Sequence, residues 1–108
     1  MIVQSAKDDQ THLVMTMDQH TSFAAQLARC FGNEQFESVS PREQMLYVIR
    51  HHDAGWRLLD DLVLRDNNTG LPYNLGQTPF GEIIKTSQLS PDFNGETHPY
   101  CELISSMH

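Results

Sequence analysis

The stretch SPREQMLYVIRHHDAGW, residues 40–56, carries the strongest local signals in this chain of 108 residues. Its first four residues, Ser40-Pro41-Arg42-Glu43, have the spacing of a capping box with proline in the first helical turn, which is typical of a helix start. Apolar residues then recur at helical spacing: Met45, Leu46, Val48 and Ile49. The stretch therefore predicts an amphipathic helix that ends near Ala54-Gly55 and carries His52 on its apolar stripe.

The sequence on either side of this stretch predicts a mainly α fold with a short N-terminal β-hairpin. Met1–Thr16 has a short apolar start, a polar turn at Lys7–Gln10 and a β-favouring run, which together predict the hairpin. The other predicted elements are, in chain order, a helix over Gln19–Phe31, a short helical turn over Trp56–Leu62, a helix from Thr78-Pro79 to Gln88, a loop over Ser90–Glu96 and a last helix from Thr97 to His108. We expect residues 1–108 to form a single domain.

The first predicted helix has an apolar stripe with a period of about 3.6 residues. The stripe consists of Phe23, Ala24, Leu27, Ala28 and Phe31. His20 lies one turn earlier on the same stripe, and either Thr16 or Asp18 can cap the helix. A second histidine is thereby predicted to lie on an apolar helix face.

Composition excludes several classes of function. The chain has 7 Lys and Arg against 14 Asp and Glu, and its net charge of −7 offers no basic stripe for nucleic acid. No run approaches the roughly 18 apolar residues that a membrane span requires, and none resembles a secretory signal. The two cysteines, Cys30 and Cys101, are too few for a disulfide scaffold. We therefore expect a cytoplasmic protein with neither a nucleic-acid nor a membrane partner.

Histidine is the unusual residue type, with 6 in the chain. Three of them, His20, His52 and His108, lie on the apolar stripes of three different predicted helices, and Asp53 follows His52. Buried imidazole and carboxylate groups are costly without partners, and one divalent ion would satisfy all four. A single histidine on an apolar stripe is more often an ordinary core residue, but this set favours a metal site. Zinc, iron and manganese are all suitable for such ligands.

Several residues near the His52-Asp53 doublet have both a structural and a functional interpretation. Gly55-Trp56 can form a helix end and a core anchor, or can border a pocket. His51 and Asp60 can support the metal ligands, or can be solvated surface residues. Arg50 and Arg57 can receive a phosphate group, or can be ordinary surface arginines.

The same residues carry a resemblance to known families. His52-Asp53 resembles the doublet of HD-type metal-dependent phosphohydrolases. The whole chain resembles the uncharacterised bacterial domain-of-unknown-function family 3891, on segments that match in order: Asp18-Gln19-His20, His52-Asp53-Ala54-Gly55-Trp56, Thr69-Gly70-Leu71-Pro72 and Ser105-Ser106-Met107-His108. The resemblance implies an HD-like helical bundle with His20, His52, Asp53 and His108 as metal ligands. Because members of that family are longer, it also implies a truncated or minimal HD-like domain, in which His108 is held less firmly or a second subunit completes the site.

Three functions are consistent with these observations. The leading hypothesis is a metal-dependent phosphohydrolase of a small phosphorylated molecule, in which Asp53 is the catalytic carboxylate that bridges the metal or orients its water. The second is an HD-type diiron oxygenase on the same scaffold. The third is a non-catalytic binding or assembly module with structural histidines. A homo-oligomer is compatible with each of them.

Overall fold

The computed structural model describes residues 1–4, 6–7 and 10–108. Two strands, β1 (Ile2–Val3) and β2 (Val14–Met15), pair antiparallel with Ile2 opposite Met15 and Val3 opposite Val14. The predicted hairpin is therefore confirmed. Two residues of its predicted turn, Asp8 and Asp9, lie outside the described residues.

Helices form most of the remaining chain, which confirms the mainly α fold class. They are α1 (Met17–Cys30), α2 (Arg42–His51), a 3-10 helix (Ala54–Trp56), α3 (Arg57–Leu62), a second 3-10 helix (Leu75–Gln77), α4 (Phe80–Gly95) and α5 (Pro99–Ser106). Helix α4 packs against α5 and the first 3-10 helix, and α1 packs against α2. Among the described residues, no helix combines the length and the apolar character that a bilayer span requires.

The start of α1 is determined by a capping box. The backbone N–H of Gln19 donates to Thr16 Oγ1 at 3.1 Å, and the backbone N–H of Thr16 donates to Gln19 Oε1 at 3.0 Å. Two otherwise unpaired backbone donors are satisfied in this way. The helix begins at Met17, two residues before the predicted start, and this places His20 in its first turn.

The large apolar residues of the predicted stripe lie on the outer face of α1. Phe23 and Leu27 of α1 and its C-cap Phe31 are exposed, whereas the buried residues are Met17, Thr21 and Ala25. Arg50 on α2 contacts the start of α1, because its guanidinium donates to Thr21 Oγ1 at 3.0 Å and to Asp18 Oδ1 at 2.9 Å. These bonds join α1 to α2.

Helix α2 differs from the prediction at both ends. Its N-cap is Pro41, which makes no side-chain cap bond, so the predicted capping box is wrong. The carbonyl of Pro41 accepts the first helical hydrogen bond, from Met45 N at 3.0 Å, and Ser40 therefore lies one residue too early to cap. The helix ends at His51 and not near Ala54-Gly55.

Helix α4 is longer than predicted, because it continues through Pro91 to Gly95. The predicted end near Gln88 and the predicted loop over Ser90–Glu96 are wrong. A proline inside a helix costs about 3 kcal/mol, since it removes a hydrogen bond and crowds the preceding turn. The buried Ser90 and Asn94 bond to neighbouring elements from this part of α4, and these tertiary bonds offset the local penalty.

The molecule is thin for its length, with principal extents of 47 × 31 × 17 Å. Its radius of gyration is 16.0 Å, whereas a compact domain of this length has about 13 Å. The shortest extent is less than two helix diameters, each about 10–12 Å with side chains. A small core remains, formed by Met17, Trp56 and Leu59. Several helix faces are consequently left open, including the outer face of α1.

Candidate metal centre

Three side chains from two helix ends converge on one point. His20 lies in the first turn of α1, His52 is the C-cap of α2, and Asp53 follows it. Each of the three offers a ligand atom, and these atoms all lie within 4.8 Å of one another. The rings of His20 and His52 meet edge to face, with centroids 5.7 Å apart. The structure thus brings together three of the four predicted ligand residues.

The adjacent His52 and Asp53 reach the same point because the chain leaves the helix between them. Successive side chains on a regular helix diverge by about 100°, which would separate the two groups. His52 still has helical angles (φ −59°, ψ −31°), but Asp53 has φ −107° and ψ 28°. This change of backbone direction brings Asp53 Oδ2 to 3.2 Å from His52 Nε2. The end of α2 at His51 therefore creates the doublet geometry.

A backbone carbonyl determines which nitrogen of His52 can bind a metal. Nδ1 lies 2.8 Å from the carbonyl oxygen of Ile49, and that oxygen can only accept a hydrogen bond. Nδ1 must therefore carry the proton and donate, so in the neutral ring Nε2 has a free lone pair. Histidines that bind metals are held by such a bond on the other nitrogen.

His108 approaches the centre from its outer side. Its Nε2 lies 3.7 Å from Asp53 Oδ1, and its ring centroid lies 4.8 Å from that of His52. The side chain is 60% exposed, against 13% for Asp53. His108 thus faces the second carboxylate oxygen of Asp53, while Oδ2 of Asp53 faces His52.

The electrostatics of the doublet favour an ionised carboxylate beside a protonated imidazole. The hydrogen bond to Asp53 is the main cause that raises the pKa of His52, and it outweighs burial, which lowers the pKa. Burial alone would raise the pKa of Asp53, but the hydrogen bond from His52 and the charges of His52, His108 and His20 lower it below its usual value. A bound cation would take the place of the proton on His52.

Helix α4 holds the segment that carries the doublet. The backbone N–H of Gly55 donates to Ser90 Oγ at 3.0 Å. A Cβ at position 55 would overlap the carbonyl oxygen of Thr86, so α4 and this segment meet backbone to backbone. Gly55 belongs to the 3-10 helix and is not the residue that terminates α2, which was its structural interpretation. Trp56 is 5% exposed and belongs to the core.

Asn94 is a residue that the sequence interpretation missed. It is fully buried, and its Nδ2 lies within hydrogen-bond distance of the His51 carbonyl oxygen (2.9 Å), the Ser90 carbonyl oxygen (2.8 Å) and Ser105 Oγ (3.1 Å). One amide therefore connects the end of α2 to α4 and α5. The i, i+4 spacing of Ser90 and Asn94 is a helical signal, but Pro91 between them indicated a loop.

A cavity of about 390 Å³ opens beside the centre. His20, His52, Asp53 and His108 all border it. Its apolar wall consists of Ile2, Met17, Trp56 and Leu75, and its serines are Ser87, Ser90 and Ser105. These residues come from β1, α1, both 3-10 helices, α4 and α5. No local sequence signal could have grouped them.

The other predicted site residues lie outside this cavity. The His51 ring packs between Tyr47 and Phe93, with centroids 4.6 and 5.4 Å away, and burial lowers its pKa. Arg57 is exposed at the start of α3. The Asp60 carboxylate accepts from Met17 N at 2.6 Å and so anchors the start of α1.

Comparison with known proteins identifies one family. The family model described as "Protein of unknown function (DUF3891)" matches residues 1–108. No curated protein and no solved structure matches the chain. The HD-type relationship and the bacterial origin stay predictions.

Proposed function

This chain belongs to the DUF3891 family of proteins of unknown function, and we propose that it holds a divalent metal ion and uses it for hydrolysis. The ligands would be Nε2 of His52, Oδ2 of Asp53 and a ring nitrogen of His20. A bound divalent ion would lower the pKa of a coordinated water and so supply a nucleophile at neutral pH.

The relation between His52 and Asp53 is the observation that carries this proposal. Their facing atoms are 3.2 Å apart, close to the ~3.4 Å that separates two tetrahedral ligands about 2.1 Å from a zinc ion. The bond from His52 Nδ1 to the Ile49 carbonyl oxygen leaves Nε2 as the free ligand atom. Two imidazoles and one carboxylate form a set that zinc, iron and manganese all accept.

Asp53 is proposed to have two tasks, because its oxygens face different neighbours. Oδ2 faces His52 and would bind the ion, whereas Oδ1 lies toward His108 at 3.7 Å. Oδ1 is therefore available to accept a hydrogen bond from the attacking water and to orient it. His108 is exposed to solvent. Its predicted role as a fourth ligand stays a prediction, and so does a phosphorylated substrate.

Metal titration of the purified chain tests the proposal. After treatment with a chelator, the protein is titrated with Zn²⁺, Mn²⁺ or anaerobic Fe²⁺ by calorimetry, and bound metal is counted by elemental analysis. We expect about one ion per chain, since His20, His52 and Asp53 form one ligand group. The His52→Ala variant should lose binding. His12→Ala is the matched control, because His12 does not border this cavity. Its ring nitrogen Nδ1 lies 3.0 Å from the Gln4 carbonyl oxygen. Equal metal binding by His52→Ala and wild type would contradict the site.

Hydrolysis is then assayed with the loaded protein. p-Nitrophenyl phosphate and p-nitrophenyl acetate test phosphate and carboxylate esters with the same leaving group. Turnover that requires the metal and is lost in Asp53→Asn supports the proposal. Metal binding without turnover of either ester overturns the hydrolase and favours the non-catalytic binding module.

An oxygenase is the second candidate, because two histidines and one carboxylate also form the ligand set of non-haem iron(II) oxygenases. Oxygen consumption by the Fe²⁺-loaded protein, with none by the Zn²⁺-loaded protein, would favour it. The predicted diiron form would require about two irons per chain. Asp53 Oδ1 and His108 Nε2, which lie 3.7 Å apart, would be the candidate ligands of the second ion.

A further inference from the structure

We infer that the cavity beside the metal centre accepts a small, largely apolar molecule with at most one negative charge. This inference names the substrate class of the proposed site, and it rests on the proposed metal function.

The walls supply apolar contact. Ile2, Met17, Trp56 and Leu75 border the cavity, and Met17 and Trp56 belong to the core. The volume of about 390 Å³ lies at the small end of the range for ligand sites, about 300–1,000 Å³. A ring with a short substituent would displace water from these side chains, and burial of its apolar surface would favour binding.

Among the serines that border the cavity, Ser87 and Ser105 retain a donor within the described part of the chain, and Ser105 is the buried one of the two. Ser90 Oγ accepts from Gly55 N at 3.0 Å and donates to the Thr86 carbonyl oxygen at 3.3 Å. Its hydroxyl hydrogen is therefore already used within the protein. Ser105 Oγ accepts from Asn94 Nδ2 at 3.1 Å, but its hydroxyl hydrogen finds no acceptor within the described part of the chain. A hydroxyl that already accepts a hydrogen bond is a better donor. Ser105 is thus suited to contact one polar atom of a bound molecule.

The lysine and arginine side chains of the described residues do not border the cavity. Arg50 is bound to Asp18 and Thr21, and Arg57 is exposed on α3. The metal ion would therefore be the main positive charge that a ligand meets. A nucleotide carries several negative charges, and burying charges without partners is costly. One polar head on the ion, with an uncharged apolar body, fits this arrangement.

Two hydroxamic acids test the inference, because they share the same metal-binding group and differ only in the apolar substituent. Acetohydroxamate has a methyl group, and benzohydroxamate has a phenyl group. Trp56 is the single tryptophan of the chain and borders the cavity, so its fluorescence reports binding to the metal-loaded protein. We expect benzohydroxamate to bind at least about tenfold more tightly, because the phenyl ring buries more apolar surface. Adenosine 5′-monophosphate should bind more weakly than benzohydroxamate.

Two leucine variants provide the control. Leu75→Gln makes the apolar wall more polar and should reduce the preference for benzohydroxamate several-fold. Leu58→Gln makes the same change at an exposed leucine that does not border the cavity, and it should leave the preference unchanged. Leu75 is 39% exposed, so its substitution is compatible with folding.

The outcomes separate this inference from the proposed function. If the protein binds the ion but binds both hydroxamates equally, or binds adenosine 5′-monophosphate more tightly, the inference is overturned and the metal site stands. An equal effect of Leu75→Gln and Leu58→Gln also overturns it. If the chain binds no ion, the proposed function fails, and this inference fails with it.

Discussion

The backbone of Gly55 lies directly against the carbonyl oxygen of Thr86, with no room for a side chain between them. A Cβ at position 55 would overlap that oxygen and would also lie 3.0 Å from Leu89 Cβ. A backbone carbonyl cannot move aside as a flexible side chain can. The closeness of α4 to the metal-binding segment therefore depends on this glycine.

Gly55→Ala should destabilise the protein. Inserting a methyl group into a packed contact costs about 1–3 kcal/mol, and the shift needed would also move Asp53, two residues away. We expect a lower melting temperature and weaker metal binding, measured by thermal unfolding and calorimetry. Gly81→Ala is the matched control on α4, where nothing lies within 4 Å of the added Cβ. Because Gly81 lies in the first turn of α4 and not in its interior, this variant should change stability little. Equal melting temperatures for the two variants would contradict the close contact.

Asn94→Leu should be strongly destabilising. The variant has a similar size but leaves the His51 carbonyl and Ser105 Oγ without the donor that Nδ2 provides, whereas the Ser90 carbonyl still accepts the helical bond from the backbone N–H of residue 94. Buried acceptors without partners cost about 1–3 kcal/mol each, so a loss of about 2 kcal/mol or more is expected in chemical denaturation. Asn67→Leu, at an exposed turn position, is the control. A small effect at Asn94 would show that its bonds do not hold α2, α4 and α5 together.

Thr16→Ala should lower stability by about 1 kcal/mol through loss of the α1 cap. Because His20 lies in the first turn, fraying there should also weaken metal binding. Thr16→Ser keeps the hydroxyl group that accepts from Gln19 N, and it should restore most of both losses. Thermal unfolding and metal titration measure the two effects. If Ser and Ala behave alike at position 16, the side-chain cap is not the cause.

Leu59→Ala and Leu27→Ala make the same chemical change in opposite environments. Leu59 is 7% exposed in the core, and Leu27 is 58% exposed on the outer face of α1. Truncating a buried leucine costs about 2–5 kcal/mol, whereas surface changes usually stay within about 0.5 kcal/mol. Chemical denaturation of both variants should show this difference. Similar losses would mean that the outer face of α1 is covered in solution.

The stability of the metal-free protein should depend on pH through His52. Its pKa is raised in the folded state, so its contribution is fully present below the unfolded value of about 6.5 and is lost as pH rises through the folded value. Asp53 has the opposite sign: its lowered pKa contributes stability above its unfolded value, and this is lost in acid. The difference in melting temperature between wild type and His52→Gln should therefore shrink from pH 6 upward. A constant difference would argue against the His52–Asp53 interaction.

Metal affinity should rise with pH, because the ion must displace the proton from His52. Below the raised pKa of His52, affinity should fall by about tenfold per pH unit for each proton displaced. Calorimetric titrations on both sides of neutrality measure this slope. Metal affinity that does not change with pH would contradict the imidazole ligand.

Parts of the fold were predictable because their causes are local. The apolar periodicity predicted the main helices, Thr16 was one of two predicted caps of α1, and an apolar start, a polar turn and a β-favouring run predicted the hairpin. The end of α4 was not predictable, since Pro91 is a local signal to stop and the bonds of Asn94 that oppose it come from distant elements. The orientation of α1 was likewise not predictable, since its large apolar stripe faces outward while its first turn is bonded to Arg50 on α2.

The candidate site was also predictable only in part. The sequence by itself determined the fold class and the candidate ligands, because helix periodicity and the chemistry of histidine and aspartate are properties of the chain. Only the tertiary structure decided that His20 meets the His52-Asp53 doublet, that His108 faces the outer carboxylate oxygen, and that the adjoining cavity is largely apolar. Each of these depends on where a helix ends and how two helices are rotated against each other. Those are outcomes of packing between distant segments, which no local pattern encodes.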